Sequence, residues 1–238
     1  MCIACSSFVP DRRRFRSLAA AGVAAASVLG ARSAFAAGAT TSVTPDEALA
    51  RLKAGNEKYV SAPQVCAVDL LKHREDVAKG QTPWAAILSC ADSRVPPELL
   101  FGGLGVGELF IARNAGNMAD TATMGTIEYG VEHLGVPLVV VMGHERCGAV
   151  AAACEWCRST RNFRAQSARW SMRSCRRPRP SMASRATSST TPCAESAKRT
   201  TAKIATKSEI VSHFIKDNKV KVLAARYDLD DGWVEFLT

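Results

Sequence analysis

Two short clusters in this 238-residue chain carry side chains that could share one metal ion: Cys90-Ala91-Asp92-Ser93-Arg94-Val95 and His144-Glu145-Arg146-Cys147-Gly148. Each follows a short apolar run of the kind a buried strand shows. The first offers a thiol with a carboxylate two residues on; the second offers an imidazole and a thiol three residues apart. Two thiolates and an imidazole suit a tetrahedral Zn2+. Three firm ligands with a fourth position open to solvent are the pattern of a catalytic site, since a structural site more often has four Cys or His ligands, and no fourth is expected here. The Cys154/Cys157 pair could bind metal or cycle as a redox couple, but it borders a segment of anomalous composition and is read as chance.

Elements must bring the clusters together. The runs Pro83 to Ser89, Glu108 to Ala112 and Pro137 to Met142 read as buried strands. Between the last two, Met124, Ile127, Val131 and Leu134 recur at helical spacing within Thr121 to Leu134. Strand, helix and strand in that order predict a parallel sheet, whose ligands gather at the carboxyl ends of its strands. Upstream, Thr44-Pro45-Asp46-Glu47 has the form of a capping box with proline at the first helical position. Ala48, Leu52 and Tyr59 then share a helical face. Near the C-terminus a helix from Ile204 to Asp217 precedes a hairpin, with Val220 to Tyr227 and Val234 to Leu237 flanking the turn residues Asp228 to Gly232.

The composition, 47% hydrophobic and 22% charged, suits one α/β domain with appendages and excludes wholesale disorder. No stretch is apolar enough for a lasting membrane span, so no transmembrane anchor is expected in the mature chain. Nine cysteines at irregular spacing argue for metal or redox chemistry over a disulfide framework. Residues 1–36 read as an export signal: a basic start at Arg12-Arg13-Arg14, an Ala/Val/Leu-rich run and an Ala34-Phe35-Ala36 cleavage site. The arginine pair resembles a twin-arginine signal, although Asp11 and Arg16 depart from that pattern, and a periplasmic location is the expectation.

The formal charge of +9 is local. Trp156 to Arg199 holds +10 and the signal +4, leaving −5 for the remainder. The basic stretch has no apolar period and no mark of a core element. A nucleic-acid patch, a disordered insertion and a slipped reading frame each account for it, and the abrupt change of composition after Glu155 favours the slipped frame. Nucleic acid is not the expected partner.

The motif C-x-D-S-R-V followed by H-x-x-C-G resembles the β-class carbonic anhydrases. Further landmarks agree: Ala78-Lys79-Gly80-Gln81-Thr82-Pro83, Arg113-Asn114-Ala115-Gly116-Asn117, Ile127-Glu128-Tyr129-Gly130-Val131 and the Tyr227 to Val234 hairpin. The likeness covers about Thr44 to Glu155 and Glu195 to Leu237. It fails over 156–194, so the domain is expected from 37–155 joined to 195–238, a mainly parallel sheet flanked by helices. The resemblance implies reversible hydration of CO2 to bicarbonate and a proton by hydroxide on one Zn2+ per chain. The implied ligands are Cys90, His144 and Cys147, with Asp92 binding zinc instead of water in a closed state. Arg94 would clasp Asp92 in the open state, the two being spaced for a bidentate pair. Gln81, Phe110, Ala115, Tyr129 and Gly148 match substrate-pocket positions, and a homodimer or a multiple of dimers is implied. Carbonyl sulfide or carbon disulfide hydrolysis on the same scaffold is an alternative, as is an inactive zinc protein whose Arg-rich segment binds nucleic acid.

Overall fold

A computed structural model of the chain describes residues 40–62, 74–75, 77–158 and 191–237, with the helical backbone alone for 156–158. The chain divides into two units, Met1–Phe35 and Ala36–Thr238, and all described residues belong to the second. Residues 1–36, read from the sequence as an export signal, most of the basic segment and the Cys157 side chain therefore lie outside the described residues.

Among the described residues five strands form one sheet: β1 Ala85–Cys90, β2 Leu109–Asn114, β3 Leu138–His144, β4 Lys221–Tyr227 and β5 Val234–Leu237. Their order is β2-β1-β3-β4-β5. The first three pairings are parallel, and only β4 with β5 is antiparallel. The chain leaves β1 to one side for β2 and returns to its other side for β3. The carboxyl ends of β1 and β3 thus flank a topological switch point, the place where open α/β sheets bind ligands. The expected mainly parallel α/β sheet is what forms.

Alternation along the central strands sorts the core into two layers. Ala85, Ile87, Leu138, Val140 and Met142 pack with Ala48 and Leu52 of α1 (Pro45–Ser61) and with Leu100 of α2 (Pro97–Leu100). Ala86, Leu88, Val139 and Val141 pack with Ile127 and Val131 of α3 (Thr121–Glu132) and with Ala197 and Ile204 of α5 (Pro192–Lys207). The second short helix before the hairpin, α6 (Glu209–Lys216), adds Val211 to the same layer. α4 (Gly148–Arg158) follows directly on Cys147. Among the described residues no helix is long and apolar enough to cross a membrane.

Two expectations need correction. The helix expected from Ile204 to Asp217 is two helices, broken at Ser208, whose backbone is extended at φ −89° and ψ 117°. Ser208 closes α5 through its N–H to the Ile204 carbonyl and opens α6 by accepting from the Val211 N–H at 3.1 Å. Its hydroxyl also donates to Glu128 of α3 at 2.6 Å, so side-chain bonds replace the helical ladder at the break. The second correction concerns the basic stretch, which does contain core. Thr191 caps α5, Pro192 takes its first position, and Cys193, Ala194 and Ala197 are buried.

Glycine spacing in α3 has two opposite settings. A Cβ at Gly130 would fall 2.9 Å from the Phe110 ring, whereas one at Gly125 would meet nothing within 4 Å among the described residues.

α1 is tied to the hairpin by a buried polar side chain. Asn56 donates to the carbonyls of Leu100 (3.1 Å) and Gly232 (2.9 Å) and accepts from the Val234 N–H at 2.9 Å. Truncation strands these buried partners. Asn56→Ala is expected to lower the unfolding free energy by about 2–4 kcal/mol in urea denaturation.

Candidate metal centre

β1 ends on Cys90 and β3 ends on His144, with Ser89 opposite Met142 across the shared ladder. This register sets both residues at the same sheet edge, and the turn after β3 brings Cys147 back to them. The sulfur atoms of Cys90 and Cys147 stand 3.8 Å apart. That matches the separation of about 3.8 Å which two metal–sulfur bonds of about 2.3 Å span at a tetrahedral angle. One ligand atom each from Cys90, His144 and Cys147 lies within 4.8 Å of the others, and all three residues are buried.

The imidazole is oriented for the same purpose. His144 Nδ1 lies 2.8 Å from the Glu145 carbonyl oxygen. As a carbonyl only accepts, Nδ1 carries the proton and Nε2 keeps its lone pair. That Nε2 is buried with no hydrogen-bond partner among the described residues. A buried lone pair aimed at two sulfurs is costly unless a cation receives it. The donor set therefore fits Zn2+.

The surrounding amides favour thiolates. The Gly116 N–H donates to Cys90 Sγ at 3.3 Å, and the amides of Ala149 and Val150 at the start of α4 favour the ionised form of Cys147. The hydrogen bond between the sulfurs, with help from the Gly116 N–H, holds the Cys90 thiol far below its ordinary range. The same bond and burial push Cys147 up, since a second bare thiolate so close would be repelled. A dication between them removes that conflict.

Asp92 is clasped by Arg94. The guanidinium reaches Oδ1 at 2.9 Å and Oδ2 at 2.7 Å, and the Arg94 amide adds a third bond at 3.0 Å. Oδ2 remains 3.8 Å from His144 Nε2. The carboxylate therefore borders the three-ligand group while its bonds go to Arg94. The loop itself is held by Arg113, which donates to the carbonyls of Cys90 (2.9 Å) and Asp92 (2.6 Å).

Of the other site residues read from the sequence, Ala115 adjoins Gly116, and Gly148 opens α4 with nothing within 4 Å of where a Cβ would stand. Both are exposed at this edge. Gln81, Phe110 and Tyr129 are elsewhere. Phe110 pairs with Ala86, four residues before Cys90, a distance of about 13 Å along the strand. Tyr129 lies with Phe110, ring centroids 6.1 Å apart, and Gln81 precedes the amino end of β1. Sequence reasoning missed Cys193, a buried thiol of α5 packed against Cys90 and Cys147. It stands outside the three-ligand group, and only the Thr191-Pro192 helix start could have signalled a core position there.

A mainly parallel α/β sheet with a Cys-His-Cys group at its switch point defines an α/β-class protein with a donor set that could hold one metal ion. Residues 85–234, well over half of the chain, match the profile of the carbonic anhydrase family. Carbonic anhydrase 2 of Mycobacterium tuberculosis is 47% identical over 109 residues, covering 46% of this chain and 52% of that protein. The chain thus spans about half the length of the curated relatives it matches. Among solved structures, the β-carbonic anhydrase CafA of the fungal pathogen Aspergillus fumigatus is 25% identical with a TM-score of 0.54, covering 81% of this chain and 89% of that one. The β-carbonic anhydrase CcaA has a TM-score of 0.59 at 21% identity, covering 79% and 86%. The chain belongs to the carbonic anhydrase family, and its fold is that of the β class.

The clasp gives a pH prediction. Its hydrogen bonds hold the Asp92 carboxyl well below the usual carboxylate range, so its contribution to stability is present above about pH 3.9 and is lost as pH falls through the lower folded value. Arg94→Gln is expected to move the Asp92 titration upward, read by carboxyl carbon NMR.

Proposed function

We propose that the chain is a zinc-dependent β-class carbonic anhydrase that interconverts CO2 with bicarbonate and a proton, works as a dimer or a multiple of dimers, and is exported through its N-terminal 36 residues. The observation that carries the metal reading is the 3.8 Å sulfur pair faced by the unpartnered Nε2 of His144. Zinc, when bound, would bring the acidity of a coordinated water towards neutrality.

The remaining roles belong to the chain. Arg94 keeps Asp92 ionised and turned away from the sulfurs, so that Asp92 can accept a hydrogen bond from a water at the site and orient it. Gly116 and the first amides of α4 spread the negative charge of the two sulfurs. At Gly148 the missing side chain leaves the backbone N–H accessible to an anionic product at the mouth.

CO2 has no net dipole and calls for apolar walls. The aromatic residues suited to that task, Phe110 and Tyr129, stand with Gln81 near the far end of β1 from this chain's own ligand group. β2 is an edge strand, half-buried over most of its length, and its outer backbone groups offer a pairing surface. Both points support a dimer in which Gln81, Phe110 and Tyr129 of one chain wall the site of the other.

Stopped-flow hydration assays with a pH indicator, paired with metal analysis, test the proposal. CO2 hydration and one zinc per chain are expected. Asp92→Asn should lower kcat/KM about 100-fold or more, and Cys90→Ser should lose the zinc. A zinc-free purified chain, or hydrolysis of carbonyl sulfide without CO2 hydration, would overturn it.

A further inference from the structure

The turn that carries two of the three metal-binding side chains contains a backbone anomaly. Arg146, between His144 and Cys147, has φ +50°, a left-handed conformation that a residue with a Cβ adopts at a cost. Its side chain extends to the β4–β5 turn and forms a bidentate pair with Asp230, Nη1 and Nη2 each 2.7 Å from a carboxylate oxygen. Beneath it, Glu145 is held twice more by the hairpin. Its N–H donates to the Tyr227 carbonyl at 3.0 Å, and its carboxylate is paired with Arg226. Arg226 is buried and also faces Glu235 at 3.2 Å and Asp228 at 3.5 Å.

Glu145, Asp228 and Asp230 bring three carboxylates close together, as a cation site would. Two arginines already answer that charge, so the cluster acts as a fastening between the hairpin and the ligand turn. Both residues between His144 and Cys147 are therefore anchored to the hairpin, and each anchor ends on a charged group.

We infer that the Arg146–Asp230 pair is a latch: it holds the His144–Cys147 turn in its left-handed conformation and thereby keeps imidazole and sulfur at metal-binding separation. Arg146 and Asp230 are positioning residues; neither touches the metal nor the reacting atoms. An exposed ion pair alone contributes little to global stability, and Asp230 is exposed at the tip of its turn, so its removal should act on the turn and leave folding intact. Glycine at 146 adopts positive φ without a Cβ clash and so needs the latch least.

The inference rests on the zinc reading of the site. The test is zinc release from the full-length loaded chain to a chromogenic chelator, with thermal unfolding of each zinc-free variant as the measure of global stability. Asp230→Ala and Arg146→Ala are expected to release zinc at least about tenfold faster than the parent, with unfolding temperatures of the zinc-free forms unchanged. Asp230→Glu, which can re-form the pair, and Arg146→Gly should stay within about threefold of the parent. Release from Asp230→Ala at the parental rate overturns the latch, as does equally fast release from Arg146→Gly and Arg146→Ala. A parent chain that takes up no zinc sinks the metal reading itself, which separates the two failures.

Discussion

The register between β1 and β3 is the constraint on which the site depends. The two strands run parallel through the middle of the sheet and are buried on both faces, so their alignment is fixed by packing against helices on each side. With Ser89 opposite Met142, the strands end within one residue of each other, on Cys90 and His144. A slip of one residue would send the alternating side chains Ile87, Leu88, Val140 and Val141 to the wrong layers. It would also move the Cys90 sulfur by about 3.3 Å relative to the imidazole, nearly the whole separation of the two sulfurs. Metal geometry here is a by-product of hydrophobic layering. No ligand sits on a long flexible loop.

Polar groups then refine what the register places. Gly116 and the α4 amides supply N–H groups to the sulfurs, the Glu145 carbonyl fixes the imidazole tautomer, and Arg113 pins the carbonyls on either side of Ala91. Each is a backbone group or is bonded to one, so the environment of the sulfurs is built mostly from main chain. Side-chain charge stands beside the sulfurs and not among them, in the Asp92–Arg94 clasp and in the pairs joining the ligand turn to the hairpin, in which Arg226 is buried.

Much of this was legible from residues adjacent in sequence. The ligands announce themselves because each cluster directly follows an apolar run, and the Thr44 capping box forms as its residues dictate. Where the sequence reading fell short, the missing information was long-range. Ser208 breaks a continuous helical pattern, and its hydroxyl donates a hydrogen bond to Glu128, 80 residues away in sequence. Cys193 follows a stretch whose composition hid the start of α5. Gln81, Phe110 and Tyr129 match substrate-pocket positions, and strand length sets Phe110 about 13 Å from the Cys90 of its own chain. Spacing along a chain says which residues share an element but not which end of that element they occupy.

The two glycines of α3 have a consequence for engineering the molecule. Gly130 is committed to the Phe110 ring, but Gly125 faces open space and lies on a helix whose burial falls on Thr123, Ile127, Gly130 and Val131. Restricting the unfolded chain at such a position by adding a methyl group is worth about 0.4–1 kcal/mol. Heat tolerance could thus be raised at α3 through an exposed position that belongs to no part of the ligand cluster.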